Sequence, residues 1–224
     1  MMYKRLLAWG MARANRANEN NIKLSEGQCS SMAALKRSLL ANVQGQVLEI
    51  GPGAGINLSY FPKDIQWIGI EPNPFMHFYL KQEAQRQGIK SIQLFNGTAE
   101  RLPVEDSSID TVVSTYVLCS VENPQASLQE IQRVLKPGGT FIFLEHVASE
   151  GGTRERKIQD LVEPAWACLF DHCHPNRETW KVLEEEGFEA IECHPYRLSF
   201  PIISPQIAGL ARKQSVIGAE VSKV

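Results

Sequence analysis

The chain has 224 residues, a formal net charge of −2 and 43% hydrophobic residues. This length fits one domain with a lid or a terminal extension better than two full domains, and the composition excludes a disordered or fibrous protein. The near-neutral charge argues against nucleic acid as the main partner, because neutralising phosphates requires a clustered basic face.

Cysteine usage and hydropathy bear on location. Five cysteines stand at irregular spacings and no secretory signal precedes them, which predicts reduced thiols and a cytoplasmic protein. No apolar run approaches the length of about 18 residues that a membrane span requires, so we expect no integral membrane association. We interpret residues 1–11 as a packed or frayed helix, with weak contact to a membrane surface as the alternative. The sequence does not indicate an oligomeric state.

The first part of the chain predicts helices. Residues 1–44 are rich in Ala, Leu, Lys and Arg and contain no proline, which favours an N-terminal helical cap with an interruption at Asn15–Asn21. Val47–Ile50 is the first predicted strand, and it runs into a glycine-rich loop followed by a helix.

Strands and helices then alternate. We predict helices at Phe75–Gln87 and Pro124–Leu135, the second stopped by Pro137-Gly138-Gly139. Alternation of this kind predicts βαβ units and a parallel sheet covered on both faces. The strands predicted between these helices are Ile65–Ile70, Ile92–Phe95, Thr111–Thr115 and Thr140–Leu144.

The alternation breaks after Glu145. We interpret residues 147–186 as an insertion or lid within a main domain at 45–212, and residues 213–224 as a loose tail. A helix is predicted at Thr179–Glu186, and two last strands at Phe188–Cys193 and Ile207–Arg212.

The most informative motif is the loop after the first strand. Gly51, Gly53 and Gly55 occupy every second position, which permits a tight turn and close approach of a ligand to the backbone. This spacing is not the Gly-x-Gly-x-x-Gly pattern of dinucleotide-binding loops. Glu49, two residues earlier, would repel a pyrophosphate and attract ammonium and sulfonium groups. A purely structural turn is the alternative.

A second acid strengthens the case for an adenosine ligand. Glu71 follows the second strand, 22 residues after Glu49. A carboxylate at the end of that strand can accept hydrogen bonds from both ribose hydroxyls. The alternative is a surface acid at a strand end.

At this point the sequence resembles the class I S-adenosylmethionine (SAM)-dependent methyltransferases over roughly Gln46 to His146. Asp110–Leu118 is similar to that family's fourth strand and following loop, and Arg133–Gly139 to the segment before its fifth strand. The resemblance implies an α/β, Rossmann-like fold with a seven-stranded, mostly parallel sheet, an antiparallel last strand and helices on both faces.

The resemblance also implies a cofactor site. SAM would be the methyl donor and S-adenosylhomocysteine the product, with the glycine loop at the amino acid end, Glu71 at the ribose and the segment from Gly97 at the adenine. Thr98 departs from the pattern, since many relatives carry an aspartate there. The expected cofactor-binding residues are Glu49, Gly51, Pro52, Gly53, Gly55, Glu71, Pro72, Thr98, Ala99, Glu100, Thr115 and Tyr116.

A narrower resemblance extends into the lid. It joins the chain to the methyltransferase-like thiol S-methyltransferases of animals, and it implies methyl transfer to a small molecule, first of all a thiol. Those proteins carry an apolar N-terminal anchor that this sequence lacks, so their location does not carry over. The matching segments are Val117–Val121, Leu144–Val147, Glu163–Trp166, Leu169–Asp171, Cys173 and Arg177–Trp180.

Three other functions stay open from the sequence. One is an O- or N-methyltransferase acting on a small apolar metabolite. Another is a catalytically inactive SAM-binding adaptor, against which the retained Glu49 and Glu71 count. The last is an NAD-dependent oxidoreductase, against which the loop spacing counts.

Candidates for the acceptor side follow the later strands. His146, just past the fifth strand, and Asp171, in the lid, are the predicted catalytic residues, as proton acceptor or orienting group. Cys119 is expected beside the methyl donor as a small pocket wall. Trp166, Phe170 and Trp180 would roof an apolar pocket, with an aromatic core as the alternative.

The lid also holds a group of metal-ligand residues. Cys168, His172, Cys173 and His174 lack a standard zinc spacing, and no second pair stands elsewhere. We therefore expect no metal. Cysteines that hold arsenite as a substrate for methylation are a rival interpretation.

Overall fold

The centre of the molecule is a seven-stranded sheet in the order β3-β2-β1-β4-β5-β7-β6. It is seen in a computed structural model that describes residues 2–14, 19–25 and 29–215. β7 is antiparallel to its neighbours, and the pairings among β1 to β5 are parallel. The predicted mostly parallel sheet with an antiparallel last strand is thus confirmed. The strands are β1 Gln46–Ile50, β2 Gln66–Ile70, β3 Ser91–Phe95, β4 Ile109–Thr115, β5 Leu135–His146, β6 Ala190–Arg197 and β7 Pro205–Arg212.

Six α-helices accompany the sheet within the described residues. They are α1 Met2–Ala14, α2 Met32–Leu40, α3 Met76–Gln87, α4 Pro124–Val134, α5 Arg154–Leu169 and α6 Thr179–Glu185. None of them is long and apolar enough to cross a membrane.

Local sequence explains where α4 begins and which face it buries. The Asn123 side chain accepts a hydrogen bond from the Ala126 amide, and Pro124 occupies the first turn, where its missing N–H costs nothing. Leu128, Ile131 and Val134 recur at helical spacing and are fully buried.

Apolar residues cover both faces of the sheet. Successive strand residues point to opposite faces, so Val112 belongs to one buried cluster and Val113 to the other. In β5 the rings of Phe141 and Phe143 lie in the first cluster, and Leu144 lies in the second. The predicted two-sided cover of the sheet is confirmed.

The strand order reverses between β1 and β4. Connections from neighbouring strands leave in opposite directions at such a point, so a crevice opens beyond the carboxyl ends of the strands. Glu49 in β1 and Thr115 in β4 lie at this edge. The sheet therefore places the glycine loop and the loop after β4 side by side.

Two predicted elements differ from the structure, and one helix of the structure was not predicted. β5 starts at Leu135, not Thr140, because Leu135 pairs with Ile109 across a bulge, and Gly138 takes the positive φ of 75° that this path needs. The glycine loop leads into a short 3-10 helix, Ile56–Ser59, and not into an α-helix. Pro62, which cannot donate a backbone hydrogen bond, follows soon after. The lid contains a sixteen-residue helix, α5, that the sequence pattern did not predict.

Both ends of the chain are more ordered in detail than the predicted helical cap and loose tail. The described residues between α1 and α2 include a 3-10 turn at Glu19–Asn21 and bridges from Lys23 to Ser31 and from Ser25 to Arg197. The predicted interruption at Asn15–Asn21 falls partly outside the described residues. Lys213 is held by the Leu135 carbonyl at 2.7 Å, so the predicted loose tail does not begin there. Residues 216–224 lie outside the described residues.

Candidate active site

The glycine loop is tightly wound against its neighbours. Gly51, Gly53 and Gly55 all have positive φ, between 57° and 87°. Residues that carry a Cβ atom disfavour this region of backbone conformation. The Gly51 amide donates to the Ile70 carbonyl at 2.8 Å. A Cβ atom on Gly51 would lie 2.5 Å from a methyl carbon of Val117. The loop thus needs glycine for both its conformation and its contact with the loop after β4.

Glu49 is a buried acid at the base of this loop. It is 1% exposed and accepts hydrogen bonds from Asn57 Nδ2 at 2.8 Å and Trp67 Nε1 at 3.0 Å. Burial raises the pKa of Glu49 to about 7, despite these hydrogen bonds. The Oδ1 atom of Asn57 is also buried and has no hydrogen-bond partner among the described residues. A cationic group bound here would gain two oxygen acceptors.

Glu71 holds the glycine loop to the turn after β2. Its carboxylate accepts from the Gly53 amide at 3.0 Å and the Asn73 amide at 2.8 Å. Burial raises the pKa of Glu71. The Asn73 side chain donates to the Lys4 carbonyl, which ties α1 over this turn. Pro72, between them, is exposed.

The segment after β3 is ordered by Glu100. Its Oε1 atom accepts from the amides of Glu122 at 2.9 Å and Asn123 at 3.3 Å. Partial burial opposes ionisation of Glu100, but hydrogen bonds led by the one from Thr98 outweigh it and lower the pKa. Ala99 is buried and Thr98 is exposed. Glu100 therefore shapes the segment, and the Thr98 hydroxyl is turned toward it.

The ends of β4 and β5 meet at an acid that sequence reasoning missed. Glu145 is fully buried and accepts from Ser114 Oγ at 2.6 Å and the Val117 amide at 3.2 Å. Its Oε2 atom has no partner among the described residues, and burial raises its pKa. An acid that directly continues the apolar run Phe141–Leu144 was the available signal. Glu145 fixes the loop that carries Tyr116 and Val117.

Tyr116 links the cofactor side to His146. It follows Thr115, whose Oγ1 accepts from Asn57 at 3.0 Å. Tyr116 has a φ of 58°, and its ring stacks on the His146 ring with centroids 6.3 Å apart. Its hydroxyl lies 3.3 Å from that of Tyr196 on β6. The predicted residues Thr115, Tyr116 and His146 are thus brought together.

His146 contacts a pair of cysteines. Its Nε2 atom is 3.0 Å from Cys173 Sγ, and Trp166 Nε1 donates to the same sulfur at 3.2 Å. The ligand atoms of Cys119, His146 and Cys173 all lie within 4.8 Å of one another. Cys119 and His146 are 1% and 3% exposed, and Cys173 is half-buried. Cys173 was not among the predicted site residues.

The two thiols have unlike acidities. The hydrogen bond from Cys119 and the neighbouring His146 lower the pKa of Cys173 to about 4, against the opposing effect of burial. The same contact and complete burial raise the pKa of Cys119 well above its ordinary value. Of the two thiols, Cys173 is thus the more acidic.

The lid covers this cluster. His174 in the lid donates its amide to the Cys119 carbonyl at 2.9 Å, and its ring lies 2.7 Å from Glu163 on α5. The Trp166 and Phe170 rings are 4.2 Å apart, with Phe170 half exposed. Cys168 is exposed, and thus the lid residues first considered as metal ligands do not converge.

Asp171 lies on the lid, two residues before Cys173. It is exposed, has a φ of 51°, and contributes to raising the pKa of Glu71. No hydrogen bond joins it to His146 within the described part of the chain. Among the described residues His146 thus contacts Cys173, whereas Asp171, two residues before Cys173, is exposed.

Comparison with known proteins decides the family. Residues 48–143 match a family model described as a methyltransferase domain. Thiol S-methyltransferase TMT1A from Homo sapiens is 38% identical over 194 residues, which cover 81% of this chain and 80% of that protein. The chain belongs to the SAM-dependent methyltransferases. Thiol S-methyltransferase TMT1B from Rattus norvegicus is 36% identical over the same share of each chain.

A solved structure shows the same fold. The [4+2]-cyclase SpnF has a TM-score of 0.72 and 18% identity over 96% of this chain and 94% of that one. Because that protein is named for a cyclisation, the fold by itself does not determine the reaction.

The residues present fit SAM as methyl donor. The glycine loop is a cradle that a side chain at Gly51 would fill. Glu49 and the free Oδ1 atom of Asn57 offer acceptors to an ammonium group. Neither feature suits a pyrophosphate, which would meet the buried acid. The structure thus supports the cofactor that the family uses.

Proposed function

We propose that the protein transfers a methyl group from SAM to the sulfur of a small apolar thiol. The observation that carries this is the similarity to thiol S-methyltransferase TMT1A, whose 194 aligned residues extend well beyond the matched domain at 48–143. Elements that would contact the acceptor are therefore included in the similarity. A cytoplasmic location and a small-molecule partner belong to the same proposal.

The cofactor side of the site is proposed from the residues at the carboxyl ends of β1, β2 and β4. Glu49 and the glycine loop would hold the amino acid end of SAM, and Glu71 the ribose. Glu71 now accepts from two backbone amides, and a carboxylate oxygen has lone pairs for further donors. The adenine would border Ala99, which is buried next to the exposed Thr98.

The acceptor side is proposed from Tyr116, His146 and the lid. SAM supplies an electrophilic methyl group on a cationic sulfur. The protein's part is to align the acceptor in line with that bond and to exclude water, and alignment alone is worth on the order of 7–11 kcal/mol in favourable systems. His146, held by Tyr116 and Cys173, would face the acceptor and accept its proton or orient it.

The lid and the N-terminal helices are proposed as the cover. Tyr3 on α1 donates to the Leu169 carbonyl at the end of α5, at 2.7 Å. A buried ion pair of 2.8 Å joins Lys36 on α2 to Glu19, which also accepts from Tyr60. Trp166 and Phe170, whose rings are 4.2 Å apart, would line the underside of the lid, and Asp171 would close it over the ribose end. Closure of this kind shields the reaction from water.

The test is transfer of a labelled methyl group from SAM to a panel of thiols, phenols and amines. The proposal expects alkyl and aryl thiols to become methyl sulfides, with one S-adenosylhomocysteine formed per product. Methylation confined to phenols or amines would reject the thiol and keep the methyltransferase. Binding of SAM without any transfer would favour an adaptor.

A further inference from the structure

Three side chains of the kind that bind soft metals converge beside His146. The sulfur atoms of Cys119 and Cys173 and an imidazole nitrogen of His146 lie within 4.8 Å of one another. They come from the loop after β4, the end of β5 and the turn after α5. Sequence spacing gives no hint of the group, because the fold assembles it from three distant segments.

We propose that Cys119, His146 and Cys173 bind one Zn²⁺ ion whose fourth position receives the acceptor thiol. This inference rests on the proposed function, and it adds a metal ion that would bind the acceptor thiol. Two thiolates and an imidazole are ligands that zinc prefers, and three protein ligands with an open position are typical of catalytic zinc. Bond lengths of about 2.0–2.3 Å place the ligand atoms of a tetrahedral ion roughly 3.3–3.8 Å apart. Shifts of about 1 Å would bring these side chains to that geometry.

The surroundings hold the ligands in place. The Trp166 indole donates to Cys173 Sγ at 3.2 Å, the kind of outer contact that orients a metal ligand. His146 is 3% exposed, and its ring stacks on that of Tyr116, which holds its orientation. The lid reaches the same place through the bond from the His174 amide to the Cys119 carbonyl.

The backbone before Cys173 adds a second sign. Asp171 and His172 both have positive φ, 51° and 62°, which residues other than glycine adopt at a cost. The Cys173 amide then donates to the Phe170 carbonyl. This strained turn directs the Cys173 sulfur inward, toward His146, rather than to solvent.

The location suits a role in the reaction. The His146 ring stacks on Tyr116, which follows Thr115, and Thr115 shares the Asn57 amide with Glu49. A continuous set of contacts therefore joins the proposed ion to the acid beside the methyl donor. Two thiolates would balance the charge of the ion, and Arg177 orders the loop that carries Cys119 by donating to the Leu118 and Val121 carbonyls.

The chemistry balances without any redox step. A thiol that coordinates the ion releases its S–H proton to solvent and remains as a bound thiolate. A lone pair of that sulfur forms the new S–CH₃ bond while the bond from the methyl carbon to the sulfonium breaks. The electron pair of the broken bond stays on the donor sulfur, which becomes neutral. The thioether product is a weaker ligand than a thiolate and leaves the ion.

The experiment measures metal binding directly. The full chain is purified with a phosphine reductant, stripped with a chelator and titrated with Zn²⁺, and with Co²⁺ as a spectroscopic probe. We expect one ion per chain, with the intense near-ultraviolet charge-transfer band and the visible bands of tetrahedral thiolate-bound cobalt. Cys119→Ser, Cys173→Ser and His146→Gln should each weaken binding by more than about 10-fold. Cys168→Ser, at an exposed cysteine on α5, is the matched control and should bind as the wild type does.

SAM binding by calorimetry shows that each variant is folded. The site is refuted if the wild type binds neither ion, or if the serine variants bind as tightly as the control. A stripped protein that methylates thiols at the full rate would also refute it while leaving the proposed function intact. Binding of the ion through all three residues, without methylation of any thiol, would establish the site and reject the proposed function.

Discussion

The Asn57 side-chain amide donates a hydrogen bond of 2.8 Å to the carboxylate of Glu49. The buried carboxylate also accepts a bond from Trp67, and it contacts no cationic side chain among the described residues. Such an arrangement costs the folded protein stability when the acid ionises. A cationic cofactor would relieve that cost, which is why Glu49 is informative about function.

Replacement of this acid should stabilise the free protein in a pH-dependent way. The pKa of Glu49 rises from 4.5 to about 7 on folding, so stability falls as the pH increases through that window. The cost is absent below the lower value and complete above the upper one, on the order of 3 kcal/mol. Urea unfolding of Glu49→Gln should therefore show a gain over wild type at pH 8 that is much smaller at pH 4.5.

Glu192→Gln, at an exposed acid on β6, is the control and should follow the wild type at both pH values. An equal gain for Glu49→Gln at both pH values would show that Glu49 is not held in this raised state.

Two glycines with similar backbone conformation should respond differently to alanine. Gly51 and Gly88 have φ of 57° and 73°, and both substitutions incur the cost of the left-handed region. A Cβ atom on Gly88 meets nothing within 4 Å, whereas one on Gly51 would press on Val117. Gly51→Ala should therefore lower the free energy of unfolding by about 1–3 kcal/mol more than Gly88→Ala does, as measured by urea unfolding. It should also weaken SAM binding. Equal effects of the two substitutions would contradict the claim that the loop has no room for a side chain at Gly51.

Glu71 should contribute directly to SAM affinity. Glu71→Ala removes the acceptor for Gly53 and Asn73 and the proposed ribose contact. The loss expected is roughly 1–3 kcal/mol, the usual scale for hydrogen bonds to a charged group. Calorimetric titration of SAM into Glu71→Ala and the exposed-site control Glu192→Ala measures it. Unchanged affinity would remove Glu71 from the site, and binding of NAD in place of SAM would overturn the cofactor.

His146 should affect turnover and not cofactor binding. His146→Gln keeps a polar group of related size, yet should lower kcat/KM by about 10²–10⁴-fold, whether the ring orients the acceptor through a bound ion or accepts its proton, for which this is the usual range. SAM affinity should stay near that of the wild type, because His146 contacts Tyr116 and Cys173 and not the glycine loop. Parallel loss of both quantities would indicate general damage to the site.

Asp171→Asn gives the comparison. Asp171 is exposed on the lid, two residues before Cys173, and its charge contributes to raising the pKa of Glu71. Its substitution should change SAM affinity at least as much as kcat. A large fall in kcat with unchanged SAM affinity would place Asp171 beside the acceptor instead.

Local patterns predicted the strands and the helix that surround the proposed cofactor site. The apolar runs of β1 to β4, the helix after Asn123 and the acids Glu49 and Glu71 depend on residues close together in the chain. Period and turn chemistry report on such features directly. Strand direction is not a local property of the sequence. The antiparallel direction of β7 was therefore expected only from the family resemblance.

The contacts on the proposed acceptor side could not be predicted from local patterns, because they join residues that are distant in the chain. Cys119 and Cys173 meet only because α5 folds the lid back over the loop after β4. The partner of Glu145, Ser114, lies on another strand. Pro137-Gly138-Gly139 has the pattern of a helix end, so the sequence predicts that the strand starts after it. In the structure a bulge with Gly138 at positive φ lets β5 run through this segment.

The most direct test uses an acceptor that carries two nucleophiles. The protein, SAM and 4-mercaptophenol are incubated together, and the position of the new methyl group is determined by mass spectrometry and nuclear magnetic resonance, with S-adenosylhomocysteine measured alongside. We expect the S-methyl product alone, in equal amount to S-adenosylhomocysteine, and its loss in His146→Gln. Methylation of the oxygen, or of neither atom while another class of acceptor is methylated, would contradict the account.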